Sequence, residues 1–154
     1  MINLNLNTAI DILSLDQYSK MTDKEIEELA EAEGIKDEEI FNYLKYKYIG
    51  IRVSYIEEKI KTLYNLPINV SGKARELISC SCCNYKTILE KGNYEICKVC
   101  FWEDDGITDE SKYSAVNHMT LREAIESFNK IGVISDVFLK FSVNDNKLRY
   151  YKEN

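Results

Sequence analysis

All five cysteines lie between positions 80 and 100, and four of them are spaced C-x2-C-x13-C-x2-C as the pairs Cys80/Cys83 and Cys97/Cys100. A C-x2-C pair closes a turn tight enough to aim two sulfurs at one point, so two such pairs supply a tetrahedral four-sulfur site. Soft thiolates suit zinc, and iron is compatible with the same ligand set. Four thiols packed merely as small apolar side chains would not need paired spacing. A lone redox C-x2-C would sit in a βαβ context, which this region lacks. Cys82 falls inside the first turn and reads as a non-ligand, because the spacer of Cys80/Cys83 matches that of the second pair.

Asn84 follows the first pair and suits the left-handed backbone that such turns often need. Between the pairs, Tyr85–Leu89 and Tyr94–Ile96 are rich in β-branched and aromatic residues, and Lys91-Gly92-Asn93 reads as a turn between them. This predicts a β-hairpin with thiols at its open end, a zinc ribbon. A hairpin this small is marginal in water, so metal binding contributes directly to its folding.

The first half reads as helices. Thr22-x-x-Glu25 is a capping box, with Met21 and Ile26 placed as a hydrophobic staple and Gly34 as the stop. Asp37 to Ile49 predicts a second helix, and Ser54-x-x-Glu57 opens a third that ends at Leu66-Pro67. A short helix is expected near Thr8–Leu13. Tyr43, Tyr46 and Tyr48 are too closely spaced to share one core, so at least one faces a surface. Thr120-x-x-Glu123 is another capping box, opening a helix stopped by Gly132, and a short helix is expected at Asp136–Phe141. The fold class is α+β: a helical N-terminal region over 1–68, a seam at Asn69–Lys73, a ribbon domain with a C-terminal helix over 73–143, and a tail over 144–154.

The 154 residues carry 20 basic and 26 acidic side chains, net −6, and between Thr22 and Glu39 nine acids face only Lys24 and Lys36. Such a surface repels phosphate backbones and suits a basic partner. No apolar run reaches the roughly 18 residues of a membrane span. The N-terminus has no basic residue or apolar block and does not read as a signal peptide, which points to the reducing cytoplasm, where thiols stay free.

Cys80-Ser81-Cys82-Cys83-Asn84-Tyr85, Tyr94-Glu95-Ile96-Cys97-Lys98-Val99-Cys100-Phe101-Trp102-Glu103-Asp104-Asp105 and Thr120-Leu121-Arg122-Glu123-Ala124 together resemble the bacterial cysteine-rich CPCC family over about residues 79–130. Ser81 stands where that family has its name-giving proline, Asn84 where glycine is usual and Lys98 where proline is common. These departures touch the stiffness of the turns rather than the ligands. The resemblance implies a zinc ribbon and no established activity. Small families of this kind also occur among candidate immunity proteins of bacterial toxin systems.

Trp102, Glu103, Asp104 and Asp105 follow the last cysteine directly and form the candidate partner-binding stretch, Trp102 as anchor and the acids as receptors for a basic side chain. The competing reading is a solvated loop with Trp102 lidding the metal turn; an enzyme using these acids would bind a second divalent ion. His118, the only histidine, has no nucleophile or orienting group in its local pattern and reads as a structural hydrogen-bonder. No phosphate-loop, dinucleotide, zinc-protease or nucleophile-elbow motif occurs, and a filled S4 site has no open position for substrate. The sequence therefore favours a non-enzymatic protein that binds another protein, a basic toxin in the sharpest form, with no small-molecule substrate evident. A nucleic-acid-binding regulator, using Lys86, Lys91 and Lys98 beside Tyr85 and Tyr94, is the alternative.

Overall fold

The computed structural model describes Met1 to Asn154 and divides into two compact units, Met1–Arg75 and Glu76–Asn154. Helices and small two-stranded sheets make the fold α+β. No helix is long and apolar enough to cross a membrane.

In the first unit, strand β1 (Ile2–Asn5) pairs in parallel with β2 (Ile68–Ser71). Parallel neighbours need a long crossover. Four helices supply it: α1 (Leu6–Ser19), α2 (Asp23–Glu33), α3 (Ile40–Tyr46) and α4 (Val53–Tyr64). Ile68 and Val70 alternate inward with Asn69 and Ser71 outward. The Asn69–Lys73 seam read from composition is therefore partly a core strand, and the division falls after Arg75. Gly72 has φ 130°, and a Cβ there would lie 3.0 Å from the Leu6 side chain, so only glycine fits.

The local signals that bound α2 were accurate. Thr22 and Glu25 form both halves of the capping box, and Gly34 is left-handed. Met21, Ile26 and Leu29 pack on the buried Ala30, Ile40 and Leu44. Tyr43 borders the same cluster, and burial, then the nearby Glu33, pushes its phenol up to about 12. Tyr46 is the exposed member of the tyrosine trio.

Three helix limits differ from the sequence reading. The N-terminal helix runs to Ser19 because the Asn5 side chain caps it, accepting from the Thr8 amide at 2.9 Å. The second predicted helix begins as a 3-10 turn at Asp37–Glu39 and ends at Tyr46. Ser54 and Glu57 do not form a cap: Glu57 instead accepts from Val70 N–H at 2.8 Å and pairs with Lys61 at 2.5 Å, tying α4 to β2.

The second unit contains β3 (Ile78–Ser79) paired with β4 (Lys86–Ile88), β5 (Tyr113–Ser114) paired with β6 (Met119–Thr120), α5 (Leu121–Ile131), a 3-10 helix at Asp136–Phe141 and α6 (Asn146–Arg149). Helix α5 buries Leu121, Ala124 and Phe128. The last residues are not a free tail. Tyr151 C=O accepts from Lys86 N–H at 2.8 Å, and Glu153 N–H donates to Asn84 C=O at 2.9 Å, so the C-terminus forms an edge beside β4. Tyr150 is buried with it. Strand pairing over this sequence distance leaves no local pattern to read.

The hairpin expected between Tyr85–Leu89 and Tyr94–Ile96 is also absent. Each segment pairs instead across its own cysteine turn: β4 with β3, and Tyr94–Cys97 with Trp102–Asp104 through Tyr94 N–H to Asp104 C=O at 2.8 Å and Cys97 N–H to Trp102 C=O at 2.8 Å. The amides of Leu89 and Glu90 are satisfied by the Glu95 carboxylate at 3.0 and 2.8 Å, not by strand backbone.

The capping box of α5 gives a direct test. Hydrogen bonds from the Thr120 backbone and then its hydroxyl hold the Glu123 carboxyl below its ordinary value. A depressed folded value adds stability that is complete above the ordinary glutamate range and vanishes as pH falls through the folded value. Thr120→Ala should cost about 1 kcal/mol at neutral pH. The difference from wild type should shrink below pH 4, as read by denaturant unfolding through Trp102 fluorescence.

Candidate metal centre

Each cysteine pair sits in a turn built by the same backbone bonds. In the first, Cys80 N–H donates to Tyr85 C=O at 2.9 Å and Asn84 N–H to Cys80 C=O at 3.0 Å. In the second, Cys97 N–H donates to Trp102 C=O at 2.8 Å and Phe101 N–H to Cys97 C=O at 3.0 Å. The residue after each second cysteine is left-handed, Asn84 at φ 62° and Phe101 at φ 69°. Asparagine takes that conformation readily, whereas a bulky aromatic does so under strain. The position of Asn84 was legible in the sequence; the matching position of Phe101 was hidden by its side chain.

The two turns bring Cys80, Cys83, Cys97 and Cys100 together, with all four sulfurs within 4.8 Å of one another. Cys80 Sγ lies 3.6 Å from Cys100 Sγ, and Cys83 Sγ 3.6 Å from Cys97 Sγ. These separations are far beyond the roughly 2.05 Å of a disulfide. They are close to the edge of about 3.8 Å of a tetrahedron whose metal–sulfur bonds are about 2.3 Å. The four thiols are buried, so the cluster is closed on all sides by protein.

Electrostatics explains why such a cluster wants a cation. Burial works to raise the Cys97 thiol, but hydrogen bonds from Cys100, Cys80 and Cys83 hold it well below its ordinary value. Thr87 Oγ1 adds a bond to Cys97 Sγ at 3.1 Å and Val99 N–H one at 3.4 Å. The others move the opposite way. Contact with Cys100 pulls Cys83 down, but its contacts with Cys80 and Cys97, together with burial, drive it far up; burial and its sulfur neighbours likewise raise Cys100. One thiolate is thus welcome and further ones repel. A bound dication is what lets all four ionise together.

Cys82 is buried outside the four-sulfur cluster. Trp102 has no exposed surface, and neither has the Asp104 side chain, so the partner-facing role read for these two from the sequence is sterically closed. Asp104 accepts from Gly92 N–H at 2.7 Å and pairs with Lys91 Nζ at 3.1 Å; the same ammonium donates to Ser81 Oγ in the first turn. Asp105 accepts from Ser114 Oγ at 2.6 Å and Ile107 N–H at 3.2 Å. These acids brace the segments around the cysteine turns instead of converging on a second ion. Of the three acids, only Glu103 has a carboxylate with neither an ion pair nor a hydrogen bond, its backbone being held by Asn117.

Of the basic–aromatic face considered for nucleic acid, Tyr94 and Lys98 are exposed and the other members are engaged within the chain. Lys86 pairs with Glu76 at 3.2 Å, Lys91 is consumed as above, and Tyr85 meets Phe128 edge-on with Lys152 over its ring. His118 makes no structural hydrogen bond; it is exposed at a left-handed position (φ 55°) between β5 and β6. The features missed from sequence are the Thr87 hydroxyl, the Lys91–Asp104 brace and the C-terminal edge. All depend on contacts between segments that carry no shared spacing.

Two predictions test this centre. Cys80→Ser and Cys97→Ser should lose bound metal as measured by elemental analysis per chain, while Cys82→Ser keeps it. Separately, Lys91→Met strands the buried Asp104 carboxylate and should cost about 2–3 kcal/mol. Asp104→Asn still accepts from Gly92 and should cost less, with the order checked by chemical denaturation.

No curated protein and no solved structure matched the chain. Residues 78–147, the segment that carries both cysteine turns, α5 and the first half of α6, match the cysteine-rich CPCC family.

Proposed function

We propose that this is a non-enzymatic cytoplasmic zinc protein that works by binding another protein. In its sharper form it is an immunity protein that neutralises a basic toxin by covering the toxin's active cleft. The observation that carries the reading is the closed cluster of four thiols. An all-sulfur tetrahedral set suits zinc, and with four protein ligands the ion has no position left for water or substrate. Zinc then acts as a staple for short strands that bury little by themselves.

Partner binding is supported by charge. The exposed face of α2 presents Glu25, Glu27, Glu28, Glu31 and Glu33 against Lys24 alone. Such a field accelerates encounter with a basic protein and disfavours acidic competitors. The nucleic-acid alternative draws less support, since two of its three candidate lysines are already paired within the chain.

Co-expression with products of neighbouring genes is the decisive experiment. The outcome expected is growth rescue from one toxic product and its co-purification with this chain as a complex weakened by salt. Failure both to protect and to capture a neighbour-encoded toxin removes the immunity role. Oligonucleotide binding at low salt would move the assignment to a nucleic-acid regulator.

A further inference from the structure

The strained Phe101 has a consequence beyond its turn. Its ring stacks on Phe138 with centroids 5.3 Å apart and planes 6° from parallel. Together they line a groove of about 410 Å³ whose walls also include Ile96, Val116, Phe141 and Glu103. Ile96 is 50% exposed and Phe141 59%, so the groove is an apolar surface open to water. Large exposed apolar surface is unusual unless something covers it. Where the first cysteine turn places an unstrained asparagine, the second keeps an aromatic in left-handed backbone, and strain of this kind collects at functional positions.

Glu103 supplies the other half. Its neighbours Asp104 and Asp105 are bound internally, as is Glu95, yet its own carboxylate has no ion-pair partner and stands in the groove wall. Phe101 and Phe138 each keep one ring face free of the other, and the exposed Phe141 ring already holds the Lys140 ammonium 4.9 Å from its centre, so these rings accept cations. An unpaired carboxylate beside them matches one side chain better than any other. A guanidinium pairs with the carboxylate through its fork of N–H donors while its flat face rests on a ring. The net charge of −6 disfavours a second copy of this chain as occupant and favours a basic one.

The geometry points to this groove as the docking site for a segment of a basic partner protein that presents an arginine beside an aliphatic or aromatic side chain. The arginine meets Glu103, and its apolar neighbour displaces water from Ile96, Val116 and Phe138. This inference rests on the protein-binding role proposed above and assigns it a place.

The test is selection of phage-displayed random dodecapeptides on the intact, zinc-loaded chain. Enriched peptides should pair arginine with an apolar residue. A synthetic member should bind Phe141→Ala at least tenfold more weakly than wild type, and Glu103→Gln three- to tenfold more weakly. Replacing its arginine by citrulline should cost a similar factor and leave no further loss on Glu103→Gln. Unchanged thiolate-to-metal absorption of the cobalt-substituted variants would show that their cysteine turns are intact; Phe141 is exposed, so its truncation leaves the core alone. No enrichment, enriched peptides without a basic residue, or binding indifferent to both variants would overturn the groove. Toxin protection retained by the Glu103→Gln/Phe141→Ala double variant would overturn it while leaving the immunity role standing, whereas loss of that role itself is read from the co-expression experiment with wild type.

Discussion

Mutual repulsion among four buried thiolates is the constraint on which the second unit turns. Sulfurs 3.6 Å apart in a dry environment cannot all ionise unless a cation sits among them. The same condition would make the site a fastener, because a cation there would tie the two turns to each other. Around it the strands are two or three residues long, and only α5 contributes a sizeable apolar face. The four-cysteine cluster therefore stands where a larger domain would have more core.

The two cysteine turns are near copies in backbone and opposites in side chain. Both use the same pair of backbone hydrogen bonds and a left-handed closing residue. Asn84 closes the first at little cost and hands its carbonyl to the C-terminal edge through Glu153. Phe101 closes the second under strain and places its ring against Phe138. Ile134 N–H then bonds Cys100 C=O at 3.0 Å, anchoring the segment after α5 to the second turn. One turn consequently serves architecture, while the other also shapes the surface.

The acids after the last cysteine show how burial reassigns residues that look alike in sequence. Trp102 to Asp105 read as a continuous, exposed, partner-facing run, but strand geometry sends successive side chains to opposite sides. Trp102 and Asp104 go inward and Glu103 outward. The inward acid is matched by Lys91 from the link between the turns, and Lys91 in turn reaches Ser81. What looked like one acidic cluster is a brace and a single free carboxylate.

What the sequence determined by itself was everything fixed by short spacing. The thiol pairs, the capping boxes at Thr22 and Thr120, the left-handed Gly34, Asn84 and Gly132, and the α+β composition all follow from residues within a few positions of each other. Tertiary structure alone decided which strands pair, that the final residues Tyr150–Glu153 complete an edge, and that Ile68–Ser71 is core and not linker. It also decided which of the acids face water. The physical reason is that turn and cap energies are local, whereas strand pairing and the satisfaction of a buried charge are settled by whichever distant segment the folded chain delivers to that place.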